Sequence, residues 1–201
     1  MTEIARLRVE IDEVTPAVIR RVEVPVTIRL DDLHFVLQIA LGWQNCHPFE
    51  FRVGETAWGL LDRDDPESSP LSAETATLAD VLALGNTFRY DYVYGEDWEH
   101  TVAFEGTAAA APATDYPRLV SAQGRCPPAD IGGPTGYETF LQAIADPEHL
   151  HHEGMRVGRS RLRSEHGRRA RDPGQPREPW EISGTPQGRA ALNCPSYPFK
   201  P

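Results

Sequence analysis

Lysine is almost missing from this 201-residue chain: the single residue is Lys200, and residues 1–153 contain none. Those 153 residues hold 26 Asp and Glu against 10 Arg, a net of −16, whereas residues 154–201 hold 4 acids against 10 bases, a net of +6. A surface that acidic repels phosphate backbones, which argues against electrostatic nucleic-acid binding by the first part. Cysteine is scarce too. Cys46, Cys126 and Cys194 are odd in number and include no C-x-x-C pair, so neither a disulfide framework nor a cysteine zinc site is indicated, and a reducing compartment fits. No run of 18 apolar residues exists, and Met1 leads straight into an alternating pattern rather than a basic-then-apolar leader. The expectation is a cytoplasmic protein with no membrane span. Its length is that of one domain, 1–153, followed by a tail, 154–201.

What is present is alternation. Leu7, Val9 and Ile11 alternate with Arg6, Arg8 and Glu10, and after Thr15-Pro16 the run Val18 to Val24 alternates again before Pro25, which predicts an opening antiparallel pair. Asp31 is placed to cap a helix whose Leu33, Val36, Leu37, Ala40 and Leu41 form one stripe, ended by Gly42. Residues 48–53 and 57–61 predict a shorter pair joined through Gly54-Glu55. The acidic Pro/Ser stretch 62–72 has nothing to bury and reads as a surface loop. Thr77 with Asp80 resembles a capping box for a short helix carrying Leu78, Val81 and Leu82.

The stretch 88–106, FRYDYVYGEDWEHTVAFEG, puts Phe88, Tyr90, Tyr92 and Tyr94 on one face and Trp98, His100, Val102 and Phe104 on another. Both faces coincide if Gly95-Glu96-Asp97 form the connection, which sets Tyr94 opposite Trp98 and Tyr92 opposite His100. The five alanines of 107–115 read as a linker-like insertion, and Arg118 to Cys126 as a last strand. After the Pro/Gly loop 127–134, a capping box Thr135-x-x-Glu138 is expected to open a helix with Tyr137, Phe140, Leu141 and Ile144 on one face and Pro147 as its stop. Hairpins with helices between them and no β-α-β repeat predict an α+β domain: a mainly antiparallel sheet with about three helices packed on it.

Two regions carry candidate chemistry. His100 is either a half-buried histidine satisfied by the hydroxyl of Tyr92 or Tyr90, or the floor of a pocket walled by Tyr90, Tyr92 and Trp98, with Asp97 at the turn. The loop from Cys126 to Gly136, with Asp130 inside it, either caps the core or holds backbone N–H groups around an anion. Cys126 as a nucleophile needs a base, and His100 is the attractive partner. His34, His47 and His100 with Asp97 or Asp130 have the donor types of a zinc, iron or manganese site, but their wide separations assign no metal ligands, and no cofactor is named. His149, His151 and His152 with Glu148 and Glu153 warrant adventitious metal binding at most.

The order of motifs resembles the plasmid pRiA4b ORF-3-like family: Asp32-Leu33-His34 with Gly42-Trp43, then His47 with Glu50-Phe51, then Tyr90-x-Tyr92-x-Tyr94-Gly95-Glu96-Asp97-Trp98-Glu99-His100, then Cys126-Pro127-Pro128-x-Asp130-x-Gly132-Gly133-Pro134-x-Gly136-Tyr137, over about residues 4–155. The resemblance implies an α+β protein of bacteria, often near mobile elements, in a family whose members are mostly uncharacterised. His47-Pro48-Phe49 stands where the family tends to read His-x-His, which weakens any metal site built there. The expected function is a non-catalytic binding or protein-interaction module for an unknown protein or small-molecule ligand. The alternatives are a metal-assisted hydrolase using His100 with Asp97 or Asp130, and an accessory in mobile-element DNA transactions.

Beyond Met155 the resemblance stops. The family continues with a Trp-containing segment and an Asp-Phe-Asp-Pro element, whereas this chain becomes rich in Arg, Gly and Pro, a composition that predicts disorder. Back-translated with suitable codons and read one nucleotide later, residues 157–176 can give WVGPDFDPNTVDAREILGNL, so a shifted reading frame from about Val157 is expected. Resequencing the gene through the Val157 codon tests this; codons incompatible with the shifted reading would exclude it.

Overall fold

The computed structural model describes residues 2–61, 69–92 and 98–155. β1 (Glu3–Ile11) and β2 (Ile19–Pro25) form the expected antiparallel pair. α1 (Leu30–Leu41) follows, then the short pair β3 (Phe49–Val53) and β4 (Thr56–Gly59). β5 (Leu71–Ser72) and α2 (Leu78–Leu82) lead into β6 (Thr87–Tyr92), β7 (Trp98–Ala109), β8 (Arg118–Gln123) and α3 (Gly133–Ala145). A last helical turn covers 152–155. One eight-stranded sheet runs β5-β4-β3-β6-β7-β1-β2-β8, antiparallel except for β4 with β5. The fold is α+β, and no helix among the described residues is long and apolar enough to cross a membrane.

Period-two alternation splits the sheet into two chemically different faces. On one face, rows of large side chains line up across the strands: Phe51, Tyr90, His100 and Ile11 are successive partners, as are Phe88, Val102 and Val9, and Phe49, Tyr92 and Trp98. Most of these are fully buried, under α1 residues Leu33, Val36 and Leu37 and α3 residues Tyr137 and Phe140. Each fully buried apolar side chain contributes roughly 2 kcal/mol. The opposite face carries ion pairs such as Arg8 with Glu10, Arg21 with Glu105 and Arg89 with Glu99. Exposed pairs of this kind contribute at most about 1 kcal/mol each, so the aromatic face holds the fold together.

Helix ends follow from backbone chemistry. α1 stops where Gly42, at φ 78, adopts the left-handed conformation of a C-cap. Its start lies two residues earlier than the Asp31 cap expected from sequence, because Arg29 is the N-cap residue and its guanidinium bonds Asp31 and Asp32, acids well placed in the first turn. α2 has the anticipated box: the Asp80 carboxylate accepts from the Thr77 N–H at 2.7 Å. α3 also begins early, at Gly133 behind a left-handed Gly132, since Pro134 is already shaped for a first turn. Thr135 therefore sits inside the helix, and its carbonyl accepts from the Thr139 hydroxyl.

Three further expectations change. In the aromatic hairpin Tyr92 opposes Trp98 and Tyr90 opposes His100, two residues away from the pairing drawn from the sequence. Alternation determines which face a residue takes, but any even shift satisfies it. Thr107, Ala108 and Ala109 are not a linker: they continue β7 and pair with Ala5, Ile4 and Glu3 of β1. Leu71 and Ser72, read as loop, extend the sheet edge beside β4. The expectations for 62–68, for the 93–97 connection and for the tail from 156 fall outside the described residues.

Gly124, at φ 73, passes so close to the β1–β2 connection that a Cβ there would lie 2.3 Å from the Ala17 carbonyl oxygen. Gly54, at φ 55, has nothing within 4 Å of that position. Gly124→Ala is expected to cost roughly 2 kcal/mol or more, through clash added to left-handed strain, and Gly54→Ala about 1 kcal/mol. Urea midpoints check the difference, and equal shifts would contradict it.

Candidate functional site

α1 presents His34 and Gln38, four residues apart on one face, to the aromatic rows of the sheet. A ring of hydrogen bonds closes there. The Gln38 side-chain amide donates to the Tyr90 hydroxyl at 2.8 Å, and that hydroxyl lies 2.7 Å from His34 Nδ1. His34 Nε2 bonds the Asn45 side-chain oxygen, and the Asn45 backbone N–H returns to Gln38 Oε1 at 3.0 Å. Because the Asn45 oxygen can only accept, His34 carries its proton on Nε2 and accepts a hydrogen bond from the Tyr90 hydroxyl at Nδ1. Each link of the ring then pairs one donor with one acceptor. Burial lowers the His34 pKa to about 4, against the raising effect of Asn45, so the ring is neutral. His34 also stacks on Phe49 at 3.7 Å.

Immediately after Gly42, Trp43 stacks on Tyr92 at 5.2 Å and meets His100 edge-on at 5.4 Å. Its indole N–H donates to the Pro127 carbonyl at 2.8 Å, and the Trp98 indole donates to the Ala129 carbonyl at 2.6 Å. The Pro-rich loop thus caps the aromatic core, and the two indoles hold it through its own backbone. Tyr92, buried, has its pKa pushed up to about 12 and accepts the Cys46 backbone N–H at 2.9 Å. At the rim of this cap His47 Nε2 meets Asp130 Oδ1 at 2.7 Å, with about a quarter of each side chain exposed.

The residues singled out from sequence therefore divide. Tyr90, Tyr92, Trp98 and His100 do come together, as buried core and not as the walls of an open pocket. His100 Nδ1 donates to the Tyr90 backbone carbonyl at 2.9 Å, so the expected tyrosine-hydroxyl partner is replaced by main chain. Among the described residues its buried Nε2 has no hydrogen-bond partner, and burial lowers its pKa to about 4. Asp130 pairs with His47 instead of His100. Burial pushes the Cys126 thiol up to about 12, the reverse of an activated nucleophile. Asp97 falls outside the described residues. Among the described residues no three His, Cys, Asp or Glu side chains are grouped to hold a metal ion.

Sequence reasoning missed Gln38, Asn45 and Trp43 as site residues. The spacing of His34 and Gln38 beside the apolar stripe was the available signal for the first. Asn45, at φ 55, and Trp43 belong to long-range contacts that no local pattern reports.

Comparison with known proteins places this architecture. Residues 3–161 match the family model described as plasmid pRiA4b ORF-3-like protein. The chain is 43% identical over 153 residues, 76% of its own length and 78% of the other's, to the uncharacterized protein y4hQ of Sinorhizobium fredii strain NGR234. It is also similar to the crystal structure of MM3350, a protein of unknown function from Methanosarcina mazei Go1, with a TM-score of 0.71 and 27% identity over 78% of this chain and 89% of that one. On the family match over residues 3–161 and a relative 43% identical over 76% of its length, the chain belongs to the plasmid pRiA4b ORF-3-like family.

Proposed function

We propose that this chain is a non-catalytic binding or protein-interaction module that meets its partner at the capped end of the sheet, where the Cys126–Tyr137 loop and the His47–Asp130 pair reach the surface. One observation carries this reading: the side chains best suited to chemistry are held in unreactive forms. His34 and His100 are buried and neutral, and Cys126, partly buried, is held as its thiol. Catalytic groups are instead tuned toward working pH and left in reach of substrate. The mobile-element reading is disfavoured by the −16 net charge of residues 1–153.

A second reading has a specific observation behind it. A histidine oriented by a carboxylate, as His47 is by Asp130, is the arrangement that also supports metal ligation, so a hydrolase would use this pair and not His100. Native mass spectrometry with elemental analysis on the untagged full chain separates the two. No stoichiometric metal is expected; one metal per chain, lost in Asp130→Asn, would overturn the module reading.

The buried histidines also predict a pH dependence. Their folded pKa values, about 4, lie below the ordinary value near 6.5, so the stability they hold is complete above pH 6.5 and lost as pH falls toward 4. The full loss is roughly 3 kcal/mol per histidine. Urea midpoints measured from pH 7 to 4.5 should fall, and His100→Phe should make the slope shallower by about one proton. An unchanged slope in that variant would show that His100 titrates alike in the folded and unfolded chain.

A further inference from the structure

On the face opposite the capped loop, Gly106 of β7, Arg6 of β1, Glu23 of β2 and Arg118 of β8 are successive partners in one row. The Glu23 carboxylate, only 8% exposed, forms its floor. One of its oxygens accepts from Arg6 Nε at 3.1 Å and Nη2 at 2.6 Å, and the other accepts from Arg118 Nε at 2.6 Å. Burial alone would raise the Glu23 pKa; the bonds from Arg118 and Arg6 outweigh it and hold the group ionised. Arg118 also lies over the Tyr116 ring at 5.6 Å. A buried anion thus orients two guanidiniums whose heads are about half exposed. Among the described residues, Arg6 Nη1 and both terminal nitrogens of Arg118 donate no hydrogen bond.

Space stands beside them. Gly106 has no side chain, and a Cβ built on it would meet nothing within 4 Å. Two bulges frame the row, one inserting Glu105 into β7 opposite Arg6 and Leu7, the other inserting Val120 into β8 opposite Arg21 and Val22. Bulges of this kind re-aim side chains and often stand beside binding sites. The result is a cleft of about 350 Å³, within the range of small-molecule sites. Its apolar wall includes Ile4, Ala109, Ala111 and Tyr116. Glu105 is neutralised by Arg21 at 2.9 and 3.1 Å, which leaves two guanidiniums against the one carboxylate of Glu23.

We propose that this cleft is a binding site for an organic monocarboxylate with a small apolar body, its carboxylate taken by the outward N–H groups of Arg6 and Arg118 and its body laid against Ile4, Ala109 and Tyr116. One excess positive charge matches one carboxylate, and guanidinium forks match its geometry. Such a group occurs on a free branched acid and at the C-terminus of a peptide. The cleft and the capped loop lie on opposite faces of the sheet, so this site and the interaction-module reading stand or fall separately.

Amide chemical shifts of the ¹⁵N-labelled full chain, titrated with isovalerate, N-acetyl-glycyl-leucine, isovaleramide and inorganic phosphate, test the site. Saturable shifts at residues 105–111 and 116–119 are expected with the two acids and not with isovaleramide or phosphate; the tighter acid identifies the source. Arg118→Gln should weaken binding roughly tenfold or more. Ala109→Trp, which fills the cleft and leaves every charge in place, should abolish it, and this holds whether or not Arg118→Gln folds. No saturable shift with either acid, equal shifts with isovaleramide or phosphate, or undiminished binding in Ala109→Trp would overturn the proposal.

Discussion

The Tyr90 hydroxyl is the one polar atom on which the aromatic face turns, because it sits under a helix where water is excluded and must both donate and accept. Gln38 and His34 supply the two partners from successive turns of α1, and Asn45 closes the ring from the loop that follows. A buried hydroxyl left without partners would cost about 1–3 kcal/mol, and each further member would then lose its own partner in turn. The ring therefore holds α1 in rotation and in height over the sheet. Trp43 follows directly from that, since Gly42 turns the chain and delivers the indole onto Tyr92.

The capped loop depends on the same placement. Two indole N–H groups from different elements, Trp43 after α1 and Trp98 at the start of β7, converge on carbonyls two residues apart at Pro127 and Ala129. Indole nitrogen is a donor only, so a segment rich in proline, which has carbonyls to offer but few N–H groups, is a complementary lid. That complementarity lets an irregular loop satisfy both buried indole N–H groups where it lies against the core. It also brings Asp130 to His47, so the polar pair at the surface is a consequence of how the interior is closed.

Local regularities were legible in the sequence and long-range ones were not. The β1 and β2 alternation, the α1 stripe ended by Gly42 and the Thr77–Asp80 box each depend on neighbours within four residues, and each stands in the fold. The aromatic hairpin shows the boundary. Its faces follow from alternation, but Trp98 opposes Tyr92 only because the loop carbonyl of Ala129 and the Cys46 N–H are waiting there for these two side chains. Composition misled at residues 107–109, where small side chains suggested a linker although β1 offers them a ladder partner. Of the candidate site, the gathering of Tyr90, Tyr92, Trp98 and His100 was readable, while the ring through Gln38 and Asn45 was not.

Charge placement on the other face extends the reasoning. In a segment with so few bases, most arginines are committed to acids across or along the strands, and Arg29 and Arg89 each serve two of them. Glu23 reverses that ratio, being shared by Arg6 and Arg118. Stability alone gives little reason for it, because half-exposed ion pairs contribute little and a second guanidinium on one carboxylate adds less than the first. A shared acid instead fixes two forks at a set separation and leaves their outer N–H groups unspent. Beside them the strand carries Gly106, where any side chain would have filled the space that the bulge at Glu105 opens. Orientation from below and vacancy alongside are what a receptor for a small anion requires, and neither is needed to hold the sheet.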